Sequence, residues 1–423
     1  MRVLFLGHCS YYTLANFTIA LKKQYRDFTI TVADPVKPGG VKITNEEGKV
    51  FDKVISLPSR KEVNLAAGNK INAIVYILKD HYNRSKIIRN IIRFRTGAVM
   101  NQIREISMKD IYAAKLKQIF ESYDVIHFHY LSPDYLAAIH FIPQNKKILM
   151  TFWGSDLYQV SGVKNYKKQF EGLKRADLIT VNSLELKETV LAKFGRDLSP
   201  KIRYADFSVS KSRIDRIEMR CNEGTIKNFK RKNGIEEGKK LIILGYSASS
   251  KQKHTEILRI LDEIESEIKQ KFYVVIPMTY GLEYENENYL EKVKEVCRNV
   301  SFGSKILTDY MAEEELTDFI ISSEIKLNLR ETDAINAAML ESLFAGNIVV
   351  NGAWLQYGKL RRLGLYCKEI ENLSELKTLI PSLINNFDNE KSNCRGNAEI
   401  IKKNFLYENT ISDWKKIYDE LKK

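Results

Sequence analysis

The sequence predicts an α/β protein built from two parallel-sheet domains that face each other across a cleft. Three observations carry that expectation. Short apolar runs alternate with helical patterns through the first half, as a parallel sheet flanked by helices requires. The same alternation restarts at Lys240. Between the two series lies Ser199–Gly238, polar, charged and weakly periodic, which reads as strand ends and linker. A chain of 423 residues has ample material for two or three packed cores.

In the first half the apolar runs Val3–Leu6, Thr29–Ala33, Val54–Leu57, Val125–His129, Ile148–Phe152 and Leu178–Val181 read as strands. Helical patterns follow at Leu14–Gln24, Ile111–Ser122, Tyr135–Phe141 and Leu184–Phe194. In the second half the strand candidates are Leu241–Leu244, Tyr273–Pro277, Ile325–Leu329 and Ile348–Val350. Its helix candidates are Thr255–Lys269, Glu285–Val300, Glu313–Ser322 and Asn336–Ala345, and Ile411–Leu421 closes the chain. The division expected is a first domain over 1–205, a linker over 206–238, a second domain over 239–404, and a terminal helix over 405–423 that packs back on the first domain.

Composition narrows the partners. The net charge of +14 fits nucleic acid, an anionic membrane surface or phosphorylated ligands. No helix-turn-helix, zinc-finger or RNA-binding aromatic pattern occurs, so nucleic acid falls behind. Cys9, Cys221, Cys297, Cys367 and Cys394 are odd in number and far apart, which reads as a reducing compartment without a disulfide framework. No pair has metal-ligand spacing. The start MRVLFLGHCS lacks a signal-peptide core, and no run of about 18 apolar residues appears. A cytoplasmic protein is expected, in peripheral contact with the inner face of the membrane. The stretch Asn83–Thr96 supports that contact: Ile87, Ile88, Ile91, Ile92 and Phe94 interleave with Lys86, Arg89, Arg93 and Arg95. It reads equally as a helix on anionic lipid or as a core-facing helix with a basic rim.

Five segments could carry chemistry, all at strand ends, where such sheets bind ligands. Gly7 sits in the turn after the first strand and would let backbone approach a ligand, or serve only a tight turn. His127 and His129 share a strand face, and His129 at its end could line the cleft; a buried structural role weighs evenly against this. In Thr151-Phe152-Trp153-Gly154-Ser155-Asp156-Leu157-Tyr158, Asp156 could act as a base toward an acceptor hydroxyl, or merely cap a helix. Ser247, Lys251, Lys253 and His254 gather at a helix start, a pattern suited to a diphosphate though not a Walker loop. The strongest segment runs from Asn328 through Arg330, Asp333, Asn336 and Glu341 to Gly346. There a strand ends, Thr332 or Asp333 could cap the helix, and Gly346 could stop it. Eight residues of helix rise about 12 Å, so Asp333 would sit at the helix mouth and Glu341 two turns deeper. The plainer reading is an amphipathic helix with a capping Asp and a solvated Glu.

This last segment resembles the signature of family-4-type GT-B glycosyltransferases: two acids separated by seven residues, with Asp333 in place of the usual first Glu. The resemblance implies a GT-B fold of two facing Rossmann-like domains. It implies Glu341 as ribose binder and Asp333 as the acid nearest the donor sugar, with Lys251, Lys253 and Arg330 on the diphosphate and Asn336 in the donor set. The family's His before Gly is replaced here by Trp153. That version, with Gly245–His254 and Pro277-Met278-Thr279-Tyr280-Gly281, is also similar to the fucosamine (Fuc4NAc) transferases of enterobacterial common antigen assembly.

The family-4 type retains anomeric configuration without a metal or other cofactor, because cations and helix dipole stabilise the leaving diphosphate. The fucosamine type inverts and needs a base such as Asp156. The acid pair favours retention. The function expected is transfer of a sugar from a nucleotide-sugar donor to a cell-surface polysaccharide or lipid-linked glycan. A nucleotide-sugar epimerase of the same fold and a non-catalytic basic scaffold are the competing readings.

Overall fold

The computed structural model describes residues 1–7, 11–34, 49–56, 74–75, 81–101, 103, 117–133, 135–282 and 288–423. His8, Cys9 and Ser10 of the first turn, and residues 111–116 of the helix expected at Ile111–Ser122, lie outside them. The first domain is a seven-stranded sheet of β1 (Arg2–Leu6), β2 (Thr29–Asp34), β3 (Lys53–Ser56), β4 (Val125–His129), β5 (Lys147–Thr151), β6 (Leu178–Val181) and β7 (Ile202–Tyr204). Its strand order is β3-β2-β1-β4-β5-β6-β7, every pair parallel. The second sheet holds β8 (Lys240–Leu244), β9 (Phe272–Pro277), β10 (Gly303–Leu307), β11 (Ile325–Asn328), β12 (Ile348–Gly352) and β13 (Lys368–Ile370). It repeats the pattern as β10-β9-β8-β11-β12-β13, again parallel throughout. Both are doubly wound. The strand order reverses between β1 and β4 and between β8 and β11, so ligand crevices belong at the carboxyl ends there.

Strand alternation builds the cores. In β1, Leu4 and Leu6 enter one apolar cluster while Val3 and Phe5 enter the other. In β11, Ile325 and Leu327 pack into the core on one face. Lys326 and Asn328 alternate with them and are buried on the opposite face. The helix Tyr407–Leu421 returns to the first domain, where Ile411, Trp414, Ile417 and Tyr418 pack with Phe5, Phe17 and Phe28. The two chain crossings between domains lie side by side: Val209 pairs with Leu406, and the Ser208 and Thr410 hydroxyls sit 2.8 Å apart.

The structure departs from expectation at four points. Ser199–Gly238 is not a plain linker: it contains β7 and the helices Lys211–Arg220 and Glu223–Lys232. Their apolar positions are few, so periodicity is weak. Side-chain caps from Ser210 and Asn222 start them. Charge pairs to the helix Glu313–Ser322, such as Arg220 to Asp318 at 2.6 Å, hold the first one down. The single helix expected at Thr255–Lys269 is two, His254–Asp262 and Ser266–Lys269. Finally, Tyr135–Phe141 is a tighter 3-10 helix, and the helix Val163–Arg175, polar along most of its length, was not expected at all.

Candidate glycosyl-transfer site

On the first domain, β5 runs into Phe152-Trp153-Gly154 and then a single helical turn, Ser155–Tyr158. Asp156 is fully buried there. One carboxylate oxygen accepts the N–H groups of Trp153 and Gly154, each at 2.9 Å, and the other accepts the N–H of Leu131 at 2.7 Å. Burial pushes its carboxyl up to about 6 against the pull of these three donors. The expected base is therefore a staple between the loops after β4 and β5. Its oxygens accept these three N–H groups, and the side chain is closed off from solvent.

His129 is also corrected. It is fully buried, and neither ring nitrogen has a hydrogen-bond partner among the described residues. Phe5, His127, Phe207 and Trp153 box it in, the first with ring centroids 4.6 Å apart. Burial holds it down to about 3, so it stays neutral. His127 is structural too, bonded to the Tyr418 hydroxyl at 2.7 Å and to Thr151 at 2.6 Å. Gly7 serves the sheet: a Cβ there would lie 1.9 Å from the His129 carbonyl oxygen, at φ +120°. Gly7→Ala should cost about 1–3 kcal/mol of stability, read by denaturant unfolding.

On the second domain, Gly245 turns at φ +72° after β8. Ser247 is buried, its hydroxyl accepting from Gln252 at 3.1 Å. His254 is buried and neutral: Nδ1 lies 3.0 Å from the Tyr289 hydroxyl, and burial lowers it to about 4. It is not the third cation expected for a diphosphate. Lys253 precedes the helix His254–Asp262 in the left-handed conformation, its ammonium over the Trp354 ring. Lys251 reaches across the crevice to the Gln159 carbonyl of the first domain, and the Gln159 amide donates to Thr332 at 2.9 Å.

The acid-bearing helix is Ala337–Phe344, capped by Asn336, whose side chain accepts the Met339 N–H at 2.8 Å. Neither Thr332 nor Asp333 caps it, so Asp333 lies in the preceding loop and Glu341 only one turn inside. Asp333 is engaged otherwise. One of its oxygens accepts from Tyr246 at 3.0 Å, Asn336 at 2.7 Å and Tyr357 at 3.1 Å. Arg330 donates to the Tyr246 hydroxyl at 2.8 Å. Glu341 is buried against Arg213 of the helix Lys211–Arg220, with Nε–Oε1 3.3 Å. Its carboxylate is thus engaged by an ion pair, with 9% of the side chain exposed. Beneath the same helix, Lys326 is buried, its ammonium 3.4 Å from the Gly245 carbonyl, and burial lowers it to about 8.

The two loop sets meet. Gly154, at φ +112°, faces Ala334, where a Cβ would come 2.7 Å from the Ala334 methyl. The Tyr158 hydroxyl donates to Gln356 at 2.8 Å. Beside the contact, a crevice of about 540 Å³ opens at the ends of β8, β11, β12 and β13, lined by Lys253, Glu331, Trp354 and Ser374 among others. Sequence reasoning missed Tyr246, Tyr357, Gln159 and Arg213. For Tyr246 a signal existed, an aromatic with a hydroxyl directly after a strand end.

Residues 72–183 match the family model described as Glycosyl transferase 4-like. No curated protein sequence matches the chain. Among solved structures, a glycosyltransferase from Rickettsia africae is 16% identical, with a TM-score of 0.69 over 100% of this chain and 98% of that one. Anabaena HepE in complex with UDP and glucose is 12% identical, with a TM-score of 0.71 over 100% and 99%. WaaG, a glycosyltransferase of lipopolysaccharide biosynthesis, is 9% identical, with a TM-score of 0.61 over 98% of each chain. The likeness over the whole chain shows a GT-B fold of two parallel-sheet domains, and within the first of these residues 72–183 match the Glycosyl transferase 4-like model.

Proposed function

We propose that the protein transfers a glycosyl group from a nucleoside-diphosphate sugar to a cell-envelope polysaccharide or lipid-linked glycan, with retention and without a metal. The observation that carries this is the meeting of Asp333, Arg330 and Lys251 at the switch point of the second sheet, facing the Gly154 loop of the first. Cations there suit a diphosphate leaving group, and Asp333 suits a sugar hydroxyl. Glu341 is the ribose acceptor once Arg213 shares it. Retention is supported by Asp156, the base that the inverting reading names, whose buried carboxylate is engaged by three backbone N–H groups. UDP leads the donor candidates because Anabaena HepE was solved with UDP and with UDP-glucose. A thermal-shift screen of UDP-, GDP-, TDP- and CMP-sugars tests this. A donor at a hundred times its Kd stabilises by about 2.7 kcal/mol. No shift with any nucleotide sugar contradicts the proposal, and epimer formation without acceptor favours the epimerase reading.

The acceptor side is proposed to rest on anionic lipid. No helix among the described residues is long and apolar enough to cross a membrane. Yet in and just after the helix His81–Ile92, Ile88, Ile91, Ile92 and Phe94 are exposed beside Arg89, Arg93 and Arg95. Apolar insertion plus basic contact is the chemistry of interfacial binding. Sedimentation with phosphatidylglycerol vesicles should capture the protein, and neutral phosphatidylcholine vesicles should capture far less. Equal capture by both contradicts the electrostatic part.

A further inference from the structure

We propose that Tyr246, Tyr357 and Asn336 are positioning residues that fix Asp333 with one carboxylate oxygen bound and the other open to a hydroxyl of the donor sugar. The inference deepens the transferase reading and rests on it. All three hydrogen bonds fall on one oxygen, Oδ2. Oδ1 takes no hydrogen bond from a described residue, yet it is not among the sealed polar atoms, so it keeps contact with solvent. The three donors come from three different strand ends: Tyr246 follows β8, Asn336 follows β11 and Tyr357 follows β12. A carboxylate pinned from three loops cannot swing, and its remaining oxygen keeps one direction.

The support extends outward. Arg330 donates to the Tyr246 hydroxyl, which passes the polarisation on to Asp333. Asn328 donates to the Tyr357 hydroxyl at 3.0 Å and to Asn351 at 2.8 Å, holding that ring from the floor of the sheet. Arg330, Tyr280, Lys326 and Tyr158 are the other titratable groups near enough to influence Asp333. Burial raises the Asp333 carboxyl, while Arg330, Tyr246, Asn336 and Tyr357 pull it back. Hydrogen bonds to a carboxylate favour its ionised form. Removing either tyrosine hydroxyl therefore leaves burial less opposed and moves the midpoint up.

The test is the pH dependence of kcat/KM for donor consumption in the full chain, for wild type, Tyr246→Phe and Tyr357→Phe. The acid limb should move toward neutral pH by about half to one unit in each variant, and further in the pair. Turnover at acidic pH should fall several-fold while that at alkaline pH falls less. Tyr357→Phe leaves Asn328 with Asn351, so it keeps the fold. The carbon-13 carboxyl resonance of Asp333, identified by its loss in Asp333→Asn, reads the same midpoint without turnover. A midpoint unchanged in both phenylalanine variants overturns the positioning role, active or not. A wild-type chain that binds and consumes no nucleotide sugar, with the midpoint shifting as expected, overturns only the transferase reading.

Discussion

Replacing Glu341 with alanine should lower the melting temperature of the second domain by on the order of 10 °C. Arg213 is only 2% exposed, and Glu341 is the carboxylate against its Nε. Removing one partner of a buried pair strands the other and costs about 3–5 kcal/mol. Each kcal/mol shifts melting by roughly 2–4 °C in a domain of this size. Arg213 keeps Thr317 and Glu313 at the other side of its guanidinium, so the fold survives at low temperature. The loss also warns against reading donor affinity from Glu341→Ala alone. Replacing both partners by apolar residues of similar volume, Arg213→Met with Glu341→Leu, should return most of the stability, since a buried pair is worth little against good packing. That double variant removes the carboxylate proposed to bind the ribose while keeping the domain folded.

The second large effect is expected on rate more than on stability. Gly154→Ala places a methyl 2.7 Å from the Ala334 methyl and 3.2 Å from its backbone nitrogen. Neither neighbour can rotate away, and the positive φ adds strain of about 1 kcal/mol or more. The domains must stand further apart, and a displacement near 1 Å costs on the order of a hundredfold in a positioned reaction. Transfer should fall by about that factor, whereas nucleotide affinity, set by the second domain, should stay within about threefold. Removing the opposing methyl in Gly154→Ala/Ala334→Gly should recover part of the rate. Equal loss in the single and double variants contradicts a crevice closed at this point.

The fold was legible because strand alternation is local. β4 and β6 fall at the expected residues, and the pairing of His127 and His129 on one face follows from period two, their rings now 3.8 Å apart. Their surroundings were not legible: the box around His129 draws on Phe5, Trp153 and Phe207, from three other segments. The edge strands β10 and β13 were missed, the first half-buried along its length and the second only three residues long. In the candidate site, the segment around Asp333 and Glu341 showed that a helix lies there, but not what holds the two acids. Arg213 lies in a stretch whose helices are started by caps and held by ion pairs, which carry no apolar period. Asp156 likewise could not be seen as a staple, because its three donors are backbone groups.

The most direct test is calorimetric titration of UDP into the wild-type chain and into the Arg213→Met/Glu341→Leu variant. The wild type should bind, and the folded double variant should bind at least tenfold more weakly, as loss of a charged hydrogen-bond acceptor of about 1.5 kcal/mol or more requires. Equal affinity in the two proteins, or no heat from UDP or any other nucleoside diphosphate with the wild type, would contradict a donor held by the acid-bearing helix.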